Sequence, residues 1–149
     1  MGMPHVREWM TVEPVTIRDG SSLGAARALM QRSDVSRLLV VDGDNLLVGI
    51  VTWGDVEAAW PSRFTSLEPV EVRELMARVL VDEIMATPVV CIDPDATISE
   101  AANLFFEHRV GAVPVVDEGR IVGILTGSDL LQGLVRILTR VGGGASVDD

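Results

Sequence analysis

Two stretches of the chain place apolar residues at helical spacing: Leu23, Ala26, Leu29 and Met30, then Ile98, Ala101, Leu104 and Phe105. That period marks a helix burying one face. A short extended run precedes each helix, at 14–17 and 89–92, and two apolar runs follow it, 38–41 with 46–51 and 112–116 with 120–125. Asp42-Gly43-Asp44-Asn45 and Asp117-Glu118-Gly119 separate the paired runs and have hairpin composition. A further helix starts near Asp55 and again near Asp129. Thr97 with Glu100 is a capping box that marks the start of the second amphipathic helix. The predicted order is strand, helix, strand, strand, helix, twice over: an α+β fold.

The two halves are copies. With a shift of 75 residues, Val6 and Met10 fall on Val81 and Met85, Ile17 on Ile92, Leu29 on Leu104, Val35 on Val110, and Val40-Val41-Asp42 on Val115-Val116-Asp117. One residue is lost in the turn, and with a shift of 74 Val48-Gly49-Ile50-Val51-Thr52 falls on Val122-Gly123-Ile124-Leu125-Thr126, and Asp55 on Asp129. A fixed period of this kind means one supersecondary unit used twice. The expected division is repeat 1 at 5–60, a linker with a helix at 61–80, repeat 2 at 81–139 and a disordered tail at 140–149. The repeats are expected to superpose and to share one core. The linker helix is expected over 66–79, with Ser66 as N-cap, Pro69 in its first turn and a stripe of Val72, Leu75, Met76 and Val79 packed on its own domain.

Composition narrows the function. The net charge is −10 and all the basic residues are arginine, which argues against nucleic-acid binding. A small anion held by one or two placed arginines remains open. No apolar run reaches the ~20 residues of a membrane helix, and no secretory pattern opens the chain, so the expected location is the cytoplasm. Cys91 is the single cysteine; it forms neither an internal disulfide nor a thiolate metal site alone, and its apolar neighbours place it in a buried strand. Only His5, in an N-terminus expected to be mobile, and His108, at the end of an exposed helix, offer neutral-pH bases. No nucleophile, zinc or phosphate-loop motif is present, so no catalytic residue, metal site or required cofactor is expected.

Gly49-Ile50-Val51-Thr52-Trp53-Gly54-Asp55 and Gly123-Ile124-Leu125-Thr126-Gly127-Ser128-Asp129 each follow Val-Val-Asp by a hairpin, and each repeat opens with Met-Thr or Met-Ala. On these residues the chain resembles the cystathionine-β-synthase-type (CBS) domain family, over residues 5 to 138, as a stand-alone tandem pair or Bateman module. The resemblance implies two motifs packed about a pseudo-two-fold axis with two clefts. It also implies self-association and regulatory sensing of adenosine-containing ligands such as AMP, ADP, ATP or S-adenosylmethionine, with the signal passed to an unknown regulated protein.

Carried over residue by residue, one cleft sets Thr126, Ser128 and Asp129 against Val15, Val35, Ser36 and Arg37. The other sets Thr52 and Asp55 against Val90, Val110, Gly111, Ala112 and Pro114. Thr52 and Thr126 end strands and precede helices, where N–H groups attract anions, and an aspartate one turn on matches a ribose diol. Thr-x-x-Asp is also a capping pattern, and the two roles are compatible. Gly54 stands where the family often has a second hydroxyl, Ala112 where the first repeat has Arg37, and Leu39 where a proline is frequent. The cleft with Asp129 and Arg37 is therefore expected to be the tighter. A homodimer is expected on the helices after each Thr-x-x-Asp, whose Leu130, Leu131, Leu134 and Ile137 exceed what one core covers. The alternative function is a structural dimerisation module with no small ligand.

Overall fold

Two spatial units divide the chain along borders that differ from those of the repeats. The computed structural model describes residues 2–146, with side chains as far as Val141. A central unit spans Pro14–Val89, and a terminal unit joins Met1–Glu13 to Val90–Asp149.

In the central unit β1 (Thr16–Arg18) runs parallel to β2 (Arg37–Val41), which pairs antiparallel with β3 (Leu47–Thr52). Leu38 to Val41 are all buried, the pattern of a middle strand covered on both faces. Between β1 and β2 lies α2 (Leu23–Ser33). Ser22 caps it by accepting from Ala25 N at 3.0 Å, and Leu23, Ala26 and Met30 form its buried stripe. Asp34, in the left-handed region at φ 54°, ends it. The β2–β3 turn closes on Asp42, whose Oδ1 accepts from Asp44 N and Leu46 N at 2.9 and 3.0 Å. Two helices complete the unit, α3 (Trp53–Ala59) and α4 (Pro69–Met76).

The linker helix starts later than Ser66. Its N-cap is Glu68 and Pro69 is its first residue, because proline supplies a helical φ and has no N–H to leave unpaired. Glu71 reaches back to accept from Glu68 N at 2.9 Å. Of the expected stripe Met76 is buried and Val72 and Val79 pack against the central core, while Leu75 is exposed.

The terminal unit repeats the plan with α5 (Ile98–His108), β4 (Ala112–Asp117), β5 (Arg120–Thr126) and α6 (Gly127–Ser146). Thr97 and Glu100 form the expected capping box of α5. Glu118 and Gly119 take positive φ, 50° and 82°, the pair of left-handed residues a two-residue hairpin requires. The expected strand at 89–92 contracts to one parallel bridge, Ile92 to Val115, and Cys91 beside it is exposed rather than buried. Pro88 immediately precedes this run and has no backbone N–H for a ladder. Partial burial nonetheless pushes the Cys91 thiol pKa up. α6 continues into the stretch from 140 expected to be disordered, since glycine lowers helix propensity without blocking it, whereas 147–149 lie outside the described residues.

Each repeat's opening segment packs on the unit built by the other repeat. His5 is ordered here: it precedes α1 (Val6–Trp9), and its backbone N donates to Glu8 at 2.6 Å. Val6 is fully buried in the terminal unit and donates its N–H to Ala96 O at 2.8 Å; Thr11 exchanges backbone hydrogen bonds with Ile124 at 2.9 Å. In the central unit Val81, also fully buried, donates to Ser21 O, and Ala86 exchanges bonds with Ile50. These approaches account for the glycine repeated in the two motifs. A Cβ on Gly123 would meet Thr11 O at 2.8 Å, and one on Gly49 would meet the Met85 side chain. Most of the buried residues fall into two clusters, one within each unit.

Candidate functional site

Both Thr-x-x-Asp motifs lie where a strand gives way to a helix, and both are true caps. Thr52 Oγ1 accepts from Asp55 N at 3.1 Å while Asp55 Oδ2 accepts from Thr52 N at 2.9 Å. Thr126 and Asp129 repeat the arrangement at the same two distances. Capping uses one oxygen of each carboxylate and one lone pair of each hydroxyl. A carboxylate has room for about four donors, so an acceptor face remains on both aspartates.

The strand entrances hold the first helical turns in place. Trp53 N donates to Ser36 O at 2.8 Å, and Gly127 N to Gly111 O at 3.2 Å. In register, Arg37 lies opposite Thr52 and Ala112 opposite Thr126. The central unit therefore brings Ser36, Arg37, Thr52 and Asp55 to one end of its sheet. Val15 belongs to the same end, since its carbonyl accepts from Leu39 N at 3.1 Å, and Val35 leads into β2. The terminal unit brings Gly111, Ala112, Thr126, Ser128 and Asp129 together, with Val110 just before them. Pro114 O ties in the 90–92 segment by accepting from Ile92 N at 3.0 Å, which places Val90 near the same sheet. Each set expected from the sequence to share a ligand draws on both units.

Thr11 escaped the sequence reading. Its hydroxyl donates to Asp129 Oδ1 at 3.0 Å, so both oxygens of that carboxylate are engaged. Asp129, 9% exposed, is the buried charged side chain among the described residues, and a buried carboxylate needs such partners. Asp55 is half-buried, and the residue equivalent to Thr11 is Ala86, which has no hydroxyl to offer. The signal was present as a Thr-to-Ala difference in the internal alignment. Ser128 is exposed, and at Gly54 an added Cβ would lie 3.7 Å from Thr52 Oγ1, so a side chain fits there.

Among the described residues no cluster of His, Cys, Asp or Glu could hold a metal ion, and no helix is long and apolar enough to cross a membrane.

Comparison with known proteins bears on these sites. The family model for the CBS domain matches twice, at residues 6–61 and 81–136. A CBS domain-containing protein of Dictyostelium discoideum is 34% identical over 137 residues, covering 91% of this chain and 94% of its own. Other relatives are larger: the chain spans 24% of a homoserine O-acetyltransferase of Methanosphaerula palustris to which it is 33% identical. Among solved structures, an acetoin utilization protein from Vibrio cholerae superposes with a TM-score of 0.73 at 31% identity, covering 92% of this chain and 94% of that one. A CBS domain pair in complex with 5′-methylthioadenosine and S-adenosyl-L-methionine shares the fold at 24% identity with a TM-score of 0.73, covering 90% of this chain and 98% of that one.

Proposed function

Since this chain belongs to the CBS domain family and carries two copies of the domain, a regulatory and non-catalytic module, we propose that it senses an adenosine-containing ligand and signals occupancy to a partner protein. The observation that carries this reading is the pair of capped aspartates, each held at a strand end with acceptor capacity left over. A helix cap alone needs no such duplication. Ribose offers two adjacent hydroxyl donors, and a fixed carboxylate binds them without losing rotamer freedom. The residues proposed to line the ligand sites are Val15, Val35, Ser36, Arg37, Thr52, Asp55, Val90, Val110, Gly111, Ala112, Pro114, Thr126, Ser128 and Asp129. A related pair holds 5′-methylthioadenosine and S-adenosyl-L-methionine, and another CBS protein was solved with AMP, which supports the same ligand class here. AMP, ADP, ATP and S-adenosylmethionine are the candidates, and a cytoplasmic location fits them.

A thermal-shift panel of these compounds tests the reading. A ligand at 100 times its Kd stabilises the folded state by about 2.7 kcal/mol, several degrees for a domain of this size. No shift with any adenosine compound would favour the alternative, a structural dimerisation module.

Self-association is part of the proposal. On α6 Leu131 is 64% exposed and Leu134 47%, with Val135, Ile137 and Leu138 beside them, while Leu130 packs on its own core. Light scattering at tens of micromolar protein is expected to give twice the chain mass, and Leu134→Glu to return it to one. A wild-type monomer at that concentration would remove the dimer from the proposal.

A further inference from the structure

The terminal unit carries a groove that neither Thr-x-x-Asp motif uses. It lies between residues 2–9 and α6, has a volume of about 720 Å³, and presents Met3, Trp9, Arg136, Ile137 and Arg140. That volume is in the range of small-molecule sites. The half-buried Trp9 supplies an aromatic surface. Its ring rests on α6 at Gly133, where any Cβ would overlap it, so the missing side chain is what lets the indole lie against the helix. Arg136 and Arg140 stand one helical turn apart, and the Arg136 guanidinium lies 5.9 Å from the centroid of the Trp9 ring.

The charged groups that face the groove are His5, Glu8, Arg136 and Arg140. Glu8 is engaged within its own turn: its Oε2 accepts from His5 N at 2.6 Å and lies 3.5 Å from His5 Nδ1. Neither arginine makes an ion pair among the described residues. Two like charges one turn apart on a helix repel, and an anion shared between them removes that cost. The central unit has no counterpart. In the internal alignment Trp9 falls on Ile84, and Gly133, Arg136 and Arg140 fall on Ala59, Ser62 and Ser66, the last two beyond the end of α3 at Ala59. The aromatic ring, the glycine seat and both cations therefore belong to one repeat alone.

We propose that this groove is a binding site for a small anion with a flat apolar body. A carboxylate or phosphate group sits between the Arg136 and Arg140 guanidinium groups, which offer planar, paired donors. The body lies on the Trp9 ring and against the Met3 and Ile137 side chains. The site is separate from the strand-end motif of the same unit: Arg136 and Arg140 follow Asp129 by about 10 to 16 Å along α6. It is separate from the proposed dimer face too, since Leu131, Leu134 and Leu138 lie about half a turn round the helix from the two arginines. An occupant of this groove need contain no adenosine. It touches both the opening segment and α6, and so tightens the docking of residues 2–9.

Calorimetry with four probes tests the site. Naphthoate and naphthyl phosphate carry the ring and one kind of anion each, naphthylmethanol lacks the charge, and inorganic phosphate lacks the ring. At least one of the two aryl anions is expected to bind, about tenfold or more tighter than either incomplete probe, and the better of the two identifies the anionic group. Arg136→Gln combined with Arg140→Gln is expected to weaken it about ten- to a hundred-fold. Both arginines are exposed, so this variant keeps its fold, which a circular dichroism melt checks. Saturating adenosine is expected to leave the aryl-anion isotherm in place. Four results would each overturn the proposal: no binding of either aryl anion at millimolar concentration, equal binding of a probe lacking ring or charge, an affinity unchanged in the arginine variant, or displacement by adenosine.

Discussion

A chain cut to residues 14–89 is expected to fold, and one cut to residues 81–149 is not, although the latter contains a complete second match to the family. The reason is which residues fill each core. All of the central cluster lies within 14–89, including Met76, Val81 and the Ile84 and Met85 side chains packed on it. The terminal cluster needs Val6, with Trp9 and Met10 against it, and these lie 71 to 75 residues upstream of the fragment's start. Burying a side chain such as Val6 contributes about 1.5–3 kcal/mol. The aromatic body of Trp9 contributes similarly, and its ring lies so close to Gly133 that a Cβ there would overlap it. Losing both approaches the whole stability of a small domain, about 5 kcal/mol at the lower end. Urea titration followed by circular dichroism should show a cooperative transition for 14–89 and none for 81–149. Adding a synthetic peptide of residues 2–13 should restore one. A cooperative transition in 81–149 alone would show that the exchanged segments are dispensable.

Asp55→Ala combined with Asp129→Ala should eliminate the thermal shift given by every ribose-bearing ligand. Each hydrogen bond from a hydroxyl to a carboxylate is worth about 1.5–3 kcal/mol, so each site loses ten- to a hundred-fold or more in affinity. The double variant will also melt lower without ligand, because two capping boxes go, at about 0.5–2 kcal/mol each. Glu100→Ala separates the effects. It breaks the same kind of box on α5, where Glu100 Oε2 accepts from Thr97 N at 3.4 Å, away from both motifs. It should lower the melting temperature and leave the ligand shift in place. A ligand shift that survives the double aspartate variant would place the ribose elsewhere.

The elements were legible because their causes are local. The stripe of Leu23, Ala26 and Met30, the Ser22 and Thr97 caps and the Asp42 and Glu118-Gly119 turns are each written within a few residues. The Thr52–Asp55 and Thr126–Asp129 pairs were legible for the same reason. Long-range partners were not. Val6 and Val81 are the same residue in the same context, so the sequence cannot say which core each enters. Thr11 and Asp129 are 118 positions apart, and only the folded chain brings them together. Cys91 misled because Val89, Val90 and Ile92 are apolar, yet the Cys91 side chain is exposed beside the Ile92 bridge. Ser66 misled because a good capping residue close to Pro69 competes poorly with proline's fixed φ. The position of Arg37 was visible as a residue and hidden as a neighbour, since that depends on the register of β2 against β3.

The exchange of opening segments also orders events during synthesis. Residues 2–13 leave the ribosome before their distant partners exist: Ala96 accepts from Val6, and Ile124 pairs with Thr11. The central unit closes its sheet and core once residues 14–89 have emerged. Until the second hairpin follows, residues 14–89 have their core while the segment at 2–13 leaves Val6, Trp9 and Met10 uncovered. Apolar surface left open in this way is what makes a partly made chain prone to misassembly.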